Sequence, residues 1–406
     1  MTATVITGLG VLAPNGLDTA DYWSSVLAGR SAIRRLSHFD PSRYPAVLAG
    51  EIHGFDAAAR LPSRLLPQTD RMTRLALVAA DAALADAGVV PAELPEYGMG
   101  VVTASASGGF EFGQNELQNL WSRGGEHVSA YQSFAWFYAV NTGQISIRHG
   151  LRGHSGVLVG EQAGGLDALG QARRQNRNGT PLVVTGGVDG SLCPWGWVAQ
   201  LPSGRLSHST DPAAGFLPFD ERACGHVPGE GGAILIAEEL TAARRRGARQ
   251  VYGEVAGYAS TFDPAPGTGG EPGLRRAITL ALADADLTAD AVDVVFADAA
   301  GVAELDLAEA EAIDAVFGPG AVPVTAPKTM TGRLYSGGAP LDLATALLAL
   351  RHGVIPPTVN VRTPAPGIDL DLVLAQPRPA TLRTALVLAR GYGGFNSAVL
   401  LRTVDH

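Results

Sequence analysis

The sequence predicts an α/β protein with a buried, mostly parallel sheet and helices on its faces. Three observations carry that reading. Short apolar runs recur along the whole chain, at 5–6, 99–103, 157–160, 182–185, 233–237, 292–297 and 385–388. Between them lie Ala- and Leu-rich stretches of helical pattern at 72–87, 163–174, 273–285, 305–316 and 340–351. Apolar residues make up 46% and charged residues 17%, so core material is ample and disorder is excluded as the main state. A length of 406 residues fits two domains or one large body with internal symmetry. The charged stretch 238–249 divides the chain into an N-terminal half, 1–250, and a C-terminal half, 251–406. No short-period repeat is present, which excludes solenoids and propellers.

Charge and cysteine usage narrow the function. The formal charge is −9 and the longest basic run is Arg244-Arg245-Arg246, so nucleic acid and anionic membranes are not expected partners. Two cysteines, Cys193 and Cys224, allow neither a disulfide framework nor a CxxC metal pattern, and both read as structural residues of a cytoplasmic protein. His154 and His226 lack acidic or cysteine neighbours at ligand spacing, so no metal and no cofactor is expected. No window reaches 18 uninterrupted apolar residues. The first eight residues lack a basic, then apolar leader and read as a strand.

Taken in order, the first motif is Gly8-Leu9-Gly10-Val11-Leu12-Ala13, which formally fits the G-x-G-x-x-G/A dinucleotide fingerprint. Pro14-Asn15-Gly16 would break the helix that fingerprint requires, and no acid-tipped second strand follows. The glycines are better read as a tight turn after the first strand. A nucleotide-dependent oxidoreductase remains a remote alternative. The segment Val157-Leu158-Val159-Gly160-Glu161-Gln162-Ala163-Gly164-Gly165-Leu166 is more informative. A strand runs into a sharp turn and a helix opens at once, the geometry that lifts a nucleophile to a helix N-terminus. Here the elbow position holds Gln162. An amide cannot attack a carbonyl, although it can donate hydrogen bonds to an oxyanion.

These residues resemble the β-ketoacyl-acyl carrier protein synthases of the thiolase fold, which have a nucleophilic cysteine where this chain has Gln162. Three other segments agree in order and spacing: Val5-Ile6-Thr7-Gly8-Leu9-Gly10 with Gly29-Arg30-Ser31, Pro218-Phe219-Asp220 with Arg222 and Gly229-Glu230-Gly231, and Gly391-Tyr392-Gly393-Gly394-Phe395-Asn396. The resemblance runs end to end and implies a duplicated thiolase fold, with α-β-α-β-α layers and two similar halves.

The departures bear on function. Condensing members of the family use two histidines. The first opens an H-G-T-G-T segment, which here reads Asp298-Ala299-Ala300-Gly301-Val302, ahead of a retained Asp306-Leu307-Ala308-Glu309. Asp298 therefore stands for the histidine, and an acid there opposes an enolate. The second lies in K-x-x-x-G-H, which here reads Lys328-Thr329-Met330-Thr331-Gly332-Arg333. Lys328 is retained, but Arg333 stays protonated and cannot serve as a base.

A glutamine elbow with both histidines lost resembles the chain length factors, the ketosynthase β subunits of bacterial aromatic type II polyketide synthases. The resemblance implies a non-condensing subunit of an acyltransferase complex in antibiotic biosynthesis. Such subunits form a heterodimer with a ketosynthase α subunit, meet acyl carrier protein transiently and shape the tunnel for a growing poly-β-ketone. An alternative gives Gln162 a role in decarboxylating malonyl-carrier protein to start the chain, and a pure scaffold is a third reading.

Two more segments bear on it. Residues 131–138 hold five aromatics in eight, against 6% in the chain, and Phe134, Trp136 and Phe137 read as a partner interface, with a packed core segment as the plain alternative. The stretch 108–121 reads as a helix with Phe110, Gly113, Leu117 and Trp121 on one face. The resemblance makes that face the chain-length gate. Glycine and leucine at two gate positions then imply a product near the decaketide class; helix packing at Gly113 is the plain alternative.

Overall fold

The computed structural model describes residues 3–265 and 267–404. Eleven strands form one mixed sheet, and its topology repeats. In the first half the strands are Thr4–Leu12, Met99–Ala104, Ser155–Leu158, Leu182–Asp189 and Gly231–Glu239. From the middle of the sheet outward they stand first, fifth, fourth, second, third. The second half holds Gly253–Phe262, Val294–Phe296, Pro323–Thr325, Thr384–Arg390 and Phe395–Arg402, and they stand in the same spatial order. A short strand, Asp371–Leu372, is added at that end. Pair directions repeat as well: antiparallel, antiparallel, parallel, parallel in each half. The halves join where Val5 and Ile6 pair with Glu254 and Gly253.

The helices repeat with the strands. The helices Glu161–Arg177 and Gly338–His352 each follow the third strand of their half and pack on one another between strands of both halves. In the second of them every residue from Gly338 to Leu350 is buried, as a helix enclosed on all sides requires. The outer layers are Arg71–Asp86, packed on Thr4–Leu12 and Gly231–Glu239, and Gly273–Ala285, packed on Gly253–Phe262 and Phe395–Arg402. Three large apolar clusters fill the spaces between these five layers. This is the duplicated α-β-α-β-α arrangement.

Several details differ from the sequence-based expectations. The apolar runs alone suggest a mostly parallel sheet, but it is mixed, as the thiolase-fold resemblance implies, because each half turns its first, fifth and fourth strands against one another. Gly8 and Gly10 make no turn: the first strand runs through both to Leu12. Their role is close approach, since a Cβ would stand 2.3 Å from the Ala83 carbonyl oxygen at Gly8 and 2.0 Å from that of Ala79 at Gly10. No helix opens there, which removes the dinucleotide fingerprint. The strands Gly253–Phe262 and Phe395–Arg402 escaped notice because small and polar residues interrupt their apolar pattern. The five aromatics of 131–138 are no core segment; every one is more than a third exposed. No helix among the described residues is long and apolar enough to cross a membrane.

Candidate functional site

The elbow forms as its residues dictate. Strand Ser155–Leu158 ends, Gly160 caps the next helix, and Glu161 adopts the left-handed region at φ 49°. This places Gln162 at the helix start with its side chain fully buried. Its Nε2 donates to Asp298 Oδ1 at 2.8 Å. Its Oε1 finds no donor among the described residues and lies where a Cβ on Gly338 would come within 2.6 Å, so the starts of the two central helices meet at this amide.

Asp298 follows the strand Val294–Phe296 and is the hub of the cluster. Arg333 reaches it with Nη2 to Oδ1 at 3.2 Å and Nη1 to Oδ2 at 3.3 Å. Arg390, at the end of strand Thr384–Arg390, donates its backbone N–H to Oδ1 at 2.9 Å and its Nε to Oδ2 at 3.3 Å. Glu309 accepts from Arg390 at 3.0 Å and from the backbone N–H groups of Asp298 and Ala299. Glu161 pairs with Arg333 at 3.4 Å. Lys328 Nζ donates to the carbonyls of Ala297 and Asp298 and pairs with Asp342 at 2.8 Å.

Burial alone would raise the Asp298 carboxyl, but the charges of Arg333, Arg390 and Lys328 outweigh it and hold the group well below the usual carboxylate range. Burial does win at Asp342, pushed up to about 6 against the pull of Lys328, and it raises Glu309 as well. His226 is driven down to about 3 by burial and by the charges of Arg333 and Arg205, so it is a neutral imidazole. The cluster thus has no nucleophile, and neither residue at the two histidine positions can serve as a base. Asp298 is ionised and fully engaged, and Arg333 cannot give up its proton.

A cleft of about 230 Å³ opens onto this network. Asp298, Arg333, Arg390, His226, Arg205 and Tyr392 are among its walls, with Arg205 laid over the Tyr392 ring at 4.7 Å. Gln162 does not reach the cleft lining. Sequence reading brought Gln162, Asp298, Lys328 and Arg333 together, and the structure joins all four. It missed Arg390, Glu309, Glu161 and Asp342 as partners. The signal for Arg390 lay in plain view, a charge just after the apolar run 385–388.

The residues expected at the gate and the interface form a second group. The helix spans Phe110–Arg123, two residues later than its expected frame. Phe110 stacks on Trp195 with centroids 4.8 Å apart, and a Cβ at Gly113 would lie 3.0 Å from the same indole. Leu117 and Trp121 face outward, Trp121 with 83% exposure. Trp136 adjoins the helix at Gly109, whose N–H bonds to the Trp136 carbonyl. Phe134 and Phe137 border a further groove with Arg64, Ile147 and Arg148. Cys193 is buried, accepts from the Gly196 N–H, and has its thiol pushed up to about 11 by burial; Cys224 is exposed. Among the described residues no group of three or more His, Cys, Asp and Glu could hold a metal ion.

Comparisons with known proteins agree with this architecture. Residues 1–242 match the family model "Beta-ketoacyl synthase, N-terminal domain" and residues 252–362 match "Beta-ketoacyl synthase, C-terminal domain". The chain belongs to the β-ketoacyl synthase family. Within that family it groups with the ketosynthase β subunits of type II polyketide synthases. It is 64% identical to the tetracenomycin polyketide synthase ketoacyl synthase beta subunit of Streptomyces glaucescens, over 98% of each chain. It is 32% identical to the 3-oxoacyl-[acyl-carrier-protein] synthase 2 of a Synechocystis species, over 97% of this chain and 96% of that one. Among solved structures, the ishigamide ketosynthase/chain length factor superposes with a TM-score of 0.90 at 27% identity, over the whole of both chains.

Proposed function

We propose that this chain is a non-condensing chain length factor. It pairs with a ketosynthase α subunit, meets acyl carrier protein transiently in the cytoplasm, and shapes the end of the tunnel that limits poly-β-ketone length, near the decaketide class. The halves divide near residue 250. One observation carries the reading: the elbow side chain is an amide locked onto a buried Asp298–Arg333–Arg390 ion network, where a condensing enzyme needs a free nucleophile and neutral histidines. The exposed aromatics of 131–138 supply the partner surface. Strand Ser155–Leu158 lies at the sheet's outer edge, where an unpaired ladder invites a strand from a neighbour. The decarboxylase reading has less support, because the Gln162 amide already donates to Asp298 and stands outside the cleft lining.

The test is reconstitution. With malonyl-carrier protein the chain alone forms no product and no covalent adduct in intact-mass analysis. Added to a ketosynthase α subunit, it yields poly-β-ketone of one dominant length. Turnover by the isolated chain, with a thioester on Cys193 or Cys224, overturns the proposal.

A further inference from the structure

The gate helix Phe110–Arg123 lacks a cap of its own. Its N-cap residue is Gly109, which has no side chain to bond the first-turn N–H groups. Nothing larger fits there, since a Cβ at Gly109 would stand 2.2 Å from the Ala135 carbonyl oxygen and 3.1 Å from the Cβ of Asp70. The missing acceptor comes from elsewhere in the fold. Asp70 Oδ2 accepts the N–H of Phe112 at 2.8 Å, the third helical position, which an N-cap side chain would normally serve. The other oxygen, Oδ1, accepts the N–H of Met72 at 2.9 Å and caps the helix Arg71–Asp86. One buried carboxylate thus caps two helices.

Its own footing is rigid. Arg74 donates to the carbonyls of Leu66 and Thr69, at 2.6 and 2.8 Å, and to the Thr69 hydroxyl, tying down the segment just before Asp70. Arg71–Asp86 in turn packs on the sheet. The gate helix has no comparable anchor: Gly113 is its only buried residue. Its remaining ties are to surface-side segments: Phe110 stacks on Trp195, Gln114 accepts from the Trp195 N–H and Glu116 from that of Ser129.

We infer that Asp70 is a positioning residue for chain length: it fixes the gate helix relative to the core through the Phe112 N–H, and so sets where Gly113 and Leu117 stand. The inference rests on the proposed gate. It adds a determinant outside the gate helix, 42 residues before Phe112 in the chain, in a residue whose side chain points at backbone.

The two functions of the carboxylate can be separated. In Asp70→Asn the amide oxygen still caps Met72, and the Nδ2 group meets the Phe112 N–H donor to donor. In Asp70→Ser the hydroxyl caps Met72 but is too short to reach Phe112. Both variants are made in the heterodimer with a ketosynthase α subunit, and product lengths are read by mass spectrometry. The Gly113→Thr/Leu117→Phe double variant serves as the control for the gate. With heterodimer yield and unfolding temperature preserved, both Asp70 variants change the ratio of the main product to its neighbours in length by about twofold or more, as loss of a buried hydrogen bond allows. If the control shifts the length and neither Asp70 variant does, the positioning role is refuted and the gate stands. If the control also leaves the length unchanged, the gate itself is refuted and this inference falls with it. A length shift seen only in a variant that no longer assembles counts against the inference.

Discussion

At the scale of single residues, the centre of the molecule is a closed ion network. Breaking a buried pair by removing one partner leaves the other charge uncompensated, at about 3–5 kcal/mol. Asp298 serves two arginines at once, so Asp298→Ala leaves Arg333 with Glu161 and Arg390 with Glu309 as their only carboxylates, and empties the buried hub between them. The expected result is a loss of that order in denaturant unfolding, with no condensing activity gained. A neutral result would mean that the network is not held as described. Asp306 gives a different test. Burial pushes its carboxyl up to about 7, although the N–H groups of Phe219 and Gly301 pull the other way. A carboxyl raised on folding contributes stability that is fully present below the unfolded value near 4 and is lost as pH climbs through 7. The stability advantage of the native protein over Asp306→Asn should therefore shrink between pH 4 and pH 7.5. An advantage that grows with pH over that range would show the carboxyl to be ionised in the fold.

At the scale of elements, much of the architecture was legible because strand and helix patterns are local. The long helices were found to within a few residues, since apolar spacing over four turns is hard to imitate by chance. What was not legible depends on contacts distant in sequence. Gly8 and Gly10 read as a turn because the helix pressing on them lies about seventy residues later. The Arg390 partner of Asp298 is 92 residues away, and no spacing rule connects them. The gate helix shows both sides of this. Its existence was readable from the pattern, whereas the reason for Gly113, an indole of the Pro194–Gln200 helix lying 3.0 Å from any added Cβ, was not. That contact shapes a prediction. Trp195 is partly exposed and can yield, so Gly113→Thr displaces its ring edge and not backbone. Together with Leu117→Phe this fills the face, and the product should shorten by one or more two-carbon units in an intact heterodimer. Product of unchanged length at normal turnover would place the gate elsewhere.

At the scale of the whole molecule, one body carries two unlike surfaces. Its interior is complete, with two central helices enclosed by repeated sheet halves. One side is not complete. Tyr131, Phe134, Trp136, Phe137 and Tyr138 stand exposed together, Leu117 and Trp121 project from the adjoining helix, and strand Ser155–Leu158 leaves a sheet edge open. Monomers seldom expose large contiguous apolar patches, and a stable complex needs about 1,000 Å² or more of buried surface. On the proposed reading, a second body of similar shape covers the aromatics and the edge together. Phe137 is the residue to test, because it is half exposed, so charging it should leave the interior intact. Central aromatic anchors at interfaces cost about 2 kcal/mol or more when lost, which is a factor of roughly 30 in affinity. Phe137→Asp should therefore unfold at the native temperature yet fail to copurify with the ketosynthase α subunit at concentrations where the parent does. A Phe137→Asp chain that still forms the heterodimer with native affinity would show that this surface faces solvent in the working complex.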